Sequence, residues 1–290
     1  MLQIRDKAGL RQELALWAVR GRTVAFVPTM GALHEGHLSL VRQARERADR
    51  VVASVFVNPT QFNRADDLSR YPRQPERDAE MLEAAGCDLL FLPDVATIYP
   101  EGHTVFVEPG GPAEGLEGEF RPGHFRGVAT VVAALFNLVR PDLAVFGRKD
   151  AQQLAVICRM VRDLHFPVEI VPGETVREAD GLAMSSRNVF LDPEERRAAG
   201  VLYRSLVAAR EAIEAGERRG DEVRRILRDG IASEPLLVLE YAEVVDAGSF
   251  RPVDTLSGEV VLPLAVRAGG TRLIDNFHLS IESQGAKGKP

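Results

Sequence analysis

The chain has 290 residues, 45% hydrophobic and 27% charged, with 36 Lys and Arg against 42 Asp and Glu for a formal charge of −6. This composition excludes a low-complexity chain and leaves no broad basic footprint for nucleic acid, and no apolar run approaches the roughly 20 residues that span a bilayer. Two cysteines, Cys87 and Cys158, make no disulfide framework, so a reduced, cytoplasmic protein without nucleic-acid or membrane partners is expected.

Short apolar runs at 24–27, 51–57, 89–92, 104–107, 143–146 and 168–171 read as strands. Amphipathic stretches at 37–48, 74–86, 126–140 and 150–163 read as helices between them. Continuous apolar strands alternating with helices predict an α/β fold, a mostly parallel sheet with helices on both faces. Ligands in such sheets bind beyond the carboxyl ends of the strands. After residue 175 the pattern changes. Asp192-Pro193 reads as a helix start, helical patterns follow at 193–215 and 220–231, and strand-like runs at 238–245, 259–266 and 271–277 close the chain. Helices followed by consecutive strands predict a smaller α+β domain with an antiparallel sheet. The expected division is 1–175, 176–282 and a disordered tail at 283–290.

Four segments carry candidate chemistry. After the first long strand, Pro28-Thr-Met30-Gly-Ala-Leu-His34-Glu-Gly-His37 turns into a helix. A strand feeding a helix through a glycine turn offers backbone N–H groups and a positive helix end to phosphate. His34 and His37 are placed to hydrogen-bond its oxygens; core or solvated histidines are the plainer alternative. A zinc helix of the H-E-x-x-H kind needs its histidines four apart rather than three. Asn58-Pro-Thr60-Gln61-Phe62 follows the next strand, with Asn58 and Gln61 suited to hydroxyls or a carboxylate, or else forming an ordinary Asn-Pro turn.

Gly147-Arg148-Lys149-Asp150-Ala-Gln-Gln153 again joins a strand to a helix. Lysine occurs only at 7, 149, 287 and 289, so Lys149 stands alone in the body of an arginine-rich chain. That isolation suits a compact ammonium on a phosphate, with Asp150 on a ribose; a solvated ion pair is the alternative. Met184-Ser185-Ser186-Arg187-Asn188 offers hydroxyls, amides and a guanidinium to pyrophosphate, although serine-rich loops are commonly plain turns. Arg121 and His124 are further possible anion contacts.

Together these motifs resemble the pantothenate synthetase (pantoate–β-alanine ligase) family over nearly the whole chain, and His34-Glu-Gly-His37 resembles the H-x-G-H signature of the nucleotidyltransferase superfamily. The resemblance implies a Rossmann-like N-terminal domain, a C-terminal lid domain and a homodimer. It implies ATP-dependent condensation of (R)-pantoate with β-alanine through a pantoyl adenylate, with Mg²⁺ and release of AMP and pyrophosphate. Carried over, His34, His37, Lys149 and Arg187 are catalytic. Met30, His37, Gly147, Lys149, Asp150, Met184, Ser185, Ser186 and Arg187 bind ATP. Gln61, Gln153, Asn58 and Arg121 bind substrate, and Asp78 is a weaker correspondence; the residues that hold the Mg²⁺ are left unknown. Arg148 stands where the family more often has Glu, and Thr60 where it often has Met.

Overall fold

The computed structural model describes residues 1–62, 68–69 and 71–282, so the tail at 283–290 lies outside the described residues. The chain divides into two compact units. The first comprises Met1–Arg148, Gln152–Val176 and Met184–Ser186; the second comprises Lys149–Ala151, Arg177–Ala183 and the chain from Arg187 onward.

In the first unit the elements run β1 (Leu2–Ile4), α1 (Lys7–Val19), β2 (Val24–Thr29), α2 (Glu35–Arg47), β3 (Arg50–Val55), a 3-10 turn (Pro59–Gln61) and α3 (Pro75–Ala84). They continue with β4 (Leu89–Phe91), α4 (Val95–Ile98), α5 (Glu117–Phe120), α6 (His124–Val139), β5 (Leu143–Gly147), α7 (Ala151–Asp163) and β6 (Glu169–Gly173). The six strands form one sheet in the order β1-β4-β3-β2-β5-β6, and every pair is parallel. Alternation across the pleat explains the double cover. Val24 and Phe26 of β2 pack with Val132 and Phe136 of α6, whereas Ala25 and Val27 pack with Leu40, Val41 and Ala44 of α2. From β2 the chain moves one way to β3 and later the other way to β5. The order therefore reverses between β2 and β5, and the carboxyl ends of these two strands flank the switch point where open α/β sheets take their ligands.

Two sequence expectations change here. Helix α1 is an addition to the expected elements, although Leu10, Leu14 and Trp17 form a helical stripe and Asp6 caps Ala8 and Gly9 through its carboxylate. The run 104–107 is not a strand. β4 already has β1 on one side and β3 on the other, and Val107 donates its N–H to Thr130 Oγ1 on α6 at 3.0 Å instead of entering the sheet.

The second unit contains α8 (Pro193–Ala199), α9 (Val201–Glu214), α10 (Gly220–Ala232), β7 (Leu237–Ala242), β8 (Val245–Asp246), β9 (Gly258–Ala268) and β10 (Thr271–Ile281). Strand β9 is central and antiparallel to β10, β7 and β8. Asp192 starts α8 as expected, in a reciprocal capping box with Glu195. Leu202 and Leu206 of α9 and Val223 and Leu227 of α10 join Leu262, Leu264 and Val266 of β9 in one core. A bidentate pair between Arg177 and the buried Asp275, at 2.6 and 2.9 Å, ties the 177–183 segment to β10. The Arg177 guanidinium also lies against the rings of Tyr203 and Phe277. Among the described residues no helix is long and apolar enough to cross a membrane.

Candidate active site

The turn after β2 is set from below by a residue far away in sequence. Asp78 of α3 is buried, and its two carboxylate oxygens each accept a backbone N–H, from Ala32 and Leu33, both at 2.9 Å. Ala32 lies in the left-handed region at φ 51°, a conformation that needs such support in a residue with a β-carbon. With those two amides satisfied by Asp78, the helix start itself becomes the exposed part of the turn.

That start is built from the two histidines. His34 is the N-cap of α2 rather than its first turn, and its Nδ1 accepts the N–H of Gly36 at 3.2 Å. The Nδ1 of His37 accepts the N–H of His34 at 3.4 Å, so the rings cap the helix reciprocally, with centroids 4.2 Å apart. Two consequences follow. A β-carbon at residue 36 would lie 2.9 Å from His34 Cε1, so the glycine between the histidines is what lets the first ring fold back over the helix end. An Nδ1 that accepts carries no proton, so in each neutral imidazole the proton is on Nε2, directed away from the cap as a donor. Met184 joins this site within the first unit. Its Cβ is 4.0 Å from the position a Gly36 β-carbon would take, and its N–H bonds Val176 O at 2.9 Å. Ser185 and Ser186 continue the chain from there, both half-buried.

The turn after β3 makes the second part. Asn58 is almost fully buried and donates from Nδ2 to Gln61 Oε1 and to Gly127 O, both at 3.1 Å. Its Oδ1 accepts from Thr60 Oγ1 at 2.9 Å and from the Tyr99 hydroxyl at 2.8 Å. Because Asn58 donates to Gln61 Oε1, the other end of the Gln61 carboxamide is its NH₂ group, which faces Met30 Sδ at 2.8 Å. The structure thus joins Met30, Asn58 and Gln61. Arg121 sits beside them, its Nη2 3.3 Å from Gln61 O.

Gly147 ends β5. Arg148 pairs with Glu174 at 3.1 Å. Gln153 lies half-buried in the first turn of α7. Lys149, Asp150 and Arg187 belong to the second unit. There the backbone carbonyl of Lys149 accepts from Asn276 Nδ2 of β10 at 2.8 Å, and the ammonium forms no ion pair among the described residues. Arg187 precedes a short 3-10 turn, Asn188–Phe190, and Asn188 braces the loop through Glu178 and Ala183 O at 2.8 and 3.1 Å. Sequence reasoning places Asp78 only weakly and does not find Asn276; neither has a local motif, and both act on backbone atoms of distant turns.

Comparison with known proteins gives a consistent result. A family model described as pantoate-beta-alanine ligase matches residues 3–278. Pantothenate synthetase of Heliobacterium modesticaldum is 55% identical over 274 residues, covering 93% of this chain and 98% of the relative. That of Roseiflexus sp. is 56% identical over 254 residues, covering 88% and 91%. Among solved structures, pantothenate synthetase from Thermus thermophilus is 49% identical with a TM-score of 0.90, over 96% of this chain and 99% of that one. Pantoate-beta-alanine ligase from Francisella tularensis, complexed with beta-gamma ATP and beta-alanine, is 33% identical with a TM-score of 0.75, over 96% and 97%.

Proposed function

We infer the roles of these residues from one premise: the chain belongs to the pantoate-beta-alanine ligase family. It joins (R)-pantoate to β-alanine in an ATP-dependent condensation. A carboxylate is a poor electrophile, and activation as an acyl adenylate solves this. The pantoate carboxylate oxygen bonds to the α-phosphorus of ATP while the bond from that phosphorus to the bridging oxygen breaks, and pyrophosphate leaves with the electron pair. The deprotonated amine of β-alanine then attacks the acyl carbon. The C–N bond forms, the C–O bond to AMP breaks, and pantothenate is released.

The first step calls for alignment and for stabilisation of charge on phosphoryl oxygens rather than for a protein nucleophile. His34 and His37 supply two Nε2–H donors at the positive end of α2, and this double imidazole cap is the observation that carries the reading. We assign Lys149, Ser185, Ser186 and Arg187 to the triphosphate as further donors, and Met30, Gly147, Asp150 and Met184 to the rest of ATP, with Asp150 on the ribose. Gln61 presents its NH₂ group to a pantoate oxygen, with Gln153, Asn58 and Arg121 completing the substrate side. Among the described residues no three His, Cys, Asp or Glu side chains gather to hold a metal. Such a site fits Mg²⁺ carried in on phosphate oxygens, where it neutralises their charge.

The free cysteines Cys87 and Cys158 fit the reducing cytoplasm. A homodimer fits the extended segment 104–107. Val105 is 77% exposed, Phe106 is exposed, and the segment has no strand partner among the described residues; a second copy offering the same edge would cover both. The chemistry is tested with pantoate labelled with ¹⁸O in its carboxylate. One labelled oxygen is expected in the AMP product. Label recovered in inorganic phosphate would mean an acyl phosphate and overturn the adenylate route.

A further inference from the structure

The start of α6 is built around one carbonyl. His124, the first residue of that helix, is buried, and its Nδ1 lies 3.0 Å from Gln61 O. Its Nε2 lies 3.2 Å from Arg121 Nη1, while Arg121 Nη2 reaches the same Gln61 oxygen at 3.3 Å. A guanidinium only donates. The His124 Nε2 facing it must therefore accept, which puts the ring proton on Nδ1, where it is donated to Gln61 O. Arg121 thus fixes the tautomer that binds Gln61, and two donors converge on one backbone oxygen. One turn later the helix grips the other side of the same loop. Gly127 O accepts from Asn58 Nδ2, and a β-carbon at Gly127 would lie 2.5 Å from Thr60 O.

We propose that His124 is a positioning residue for pantoate: it touches no substrate, and through its Nδ1–H it fixes the backbone of Gln61 so that the Gln61 NH₂ group faces the substrate oxygen. The anion contact expected of His124 from sequence is replaced by this internal role. The inference rests on the assignment of Gln61 to pantoate.

Isosteres separate the possibilities. The side-chain amide nitrogen of asparagine lies where His Nδ1 lies, whereas that of glutamine lies closer to Nε2. His124→Ala is expected to raise the KM for pantoate about tenfold or more, a hydrogen-bond-sized loss, with kcat and the KM for ATP changed less than about threefold. His124→Asn should return the pantoate KM to within about threefold of the parent, and His124→Gln should not. Adding His124→Ala to Gln61→Ala should raise the KM no further, because one acts through the other. Equal damage from Asn and Gln, or a fall in kcat with an unchanged pantoate KM, would overturn the proposal. Should His124→Ala not fold, the Asn and Gln variants still decide between these outcomes. If Gln61→Ala alone leaves the pantoate KM unchanged, the assignment of Gln61 fails and takes the inference with it. If Gln61→Ala raises it and His124→Ala does not, only the positioning role fails.

Discussion

Asp78 and Cys87 illustrate how differently two buried polar side chains serve this molecule. The Asp78 carboxylate satisfies two amides of the turn that leads into His34. In Asp78→Asn one of those oxygens becomes an NH₂ group facing an N–H, so a buried donor loses its acceptor. The expected cost is about 1–3 kcal/mol of stability, together with slower adenylation because the histidine cap loosens; chemical denaturation and initial rates measure the two. Nothing near Asp78 in sequence announces this, since its partners lie 45 and 46 residues away. The histidines, by contrast, are legible from their spacing and the preceding strand, although their capping geometry is not. Cys87 is inert by burial, which pushes its thiol from an ordinary value of 9.0 up to about 12. It should resist alkylation at pH 8 in the native state and react on unfolding, because the thiolate is the nucleophile. The folded protein keeps a proton that the unfolded chain releases, so stability falls as pH rises from about 9 towards about 12, and Cys87→Ala should flatten that slope in alkaline denaturation.

At the level of elements, what the sequence reveals depends on whether a segment's own pattern decides its fate. Strands β2 and β5 and helices α2, α6 and α7 are readable because each carries its own apolar face. Helix α1 carries the same kind of signal in Leu10, Leu14 and Trp17, only weaker in contrast because its opposite face is also partly apolar. The 104–107 segment has the composition of a strand, but whether it pairs depends on which sheet edges its neighbours already occupy, and no local pattern encodes that. The 193–215 pattern likewise holds as helix but breaks at Gly200 into α8 and α9. The start of α2 gives the sharpest test at this scale. Gly36→Ala adds a β-carbon 2.9 Å from His34 Cε1, which should displace the ring from the cap while α2 still forms, since alanine favours the helix interior. The expected outcome is unchanged helical circular dichroism with adenylation slowed at least about tenfold. Retention of the parent rate would show that the His34 cap is not needed.

At the scale of the whole sheet of the first unit, topology brings the turns after β2, β3 and β5 to one edge. The turns after β2 and β5 leave the sheet on either side of the point where strand order reverses, and the turn after β3 places Gln61 against Met30. That much of the site follows from the order of strands and helices in the sequence. The bracing of Gln61 by Arg121 and His124, and separately of Lys149 by Asn276, does not, because each depends on a contact between residues far apart in the chain. Assembly carries its own expectation: Val105→Lys should place a charge on an extended edge that has no strand partner among the described residues, and shift the proposed dimer to monomer in light scattering, with melting of the monomer little changed. A dimer that survives this substitution would move the interface elsewhere.

We have proposed that the double imidazole cap stabilises charge during attack on the α-phosphorus, and separately that Lys149 acts on the triphosphate. Pantoate-dependent exchange of labelled pyrophosphate into ATP, run without β-alanine, isolates that step. The parent protein should exchange, and His37→Ala and Lys149→Ala should each slow exchange at least about a hundredfold, in line with the loss of one preorganised donor. Exchange at the parent rate in either variant would contradict the role given to that residue, and exchange that requires β-alanine in the parent would contradict the adenylate itself.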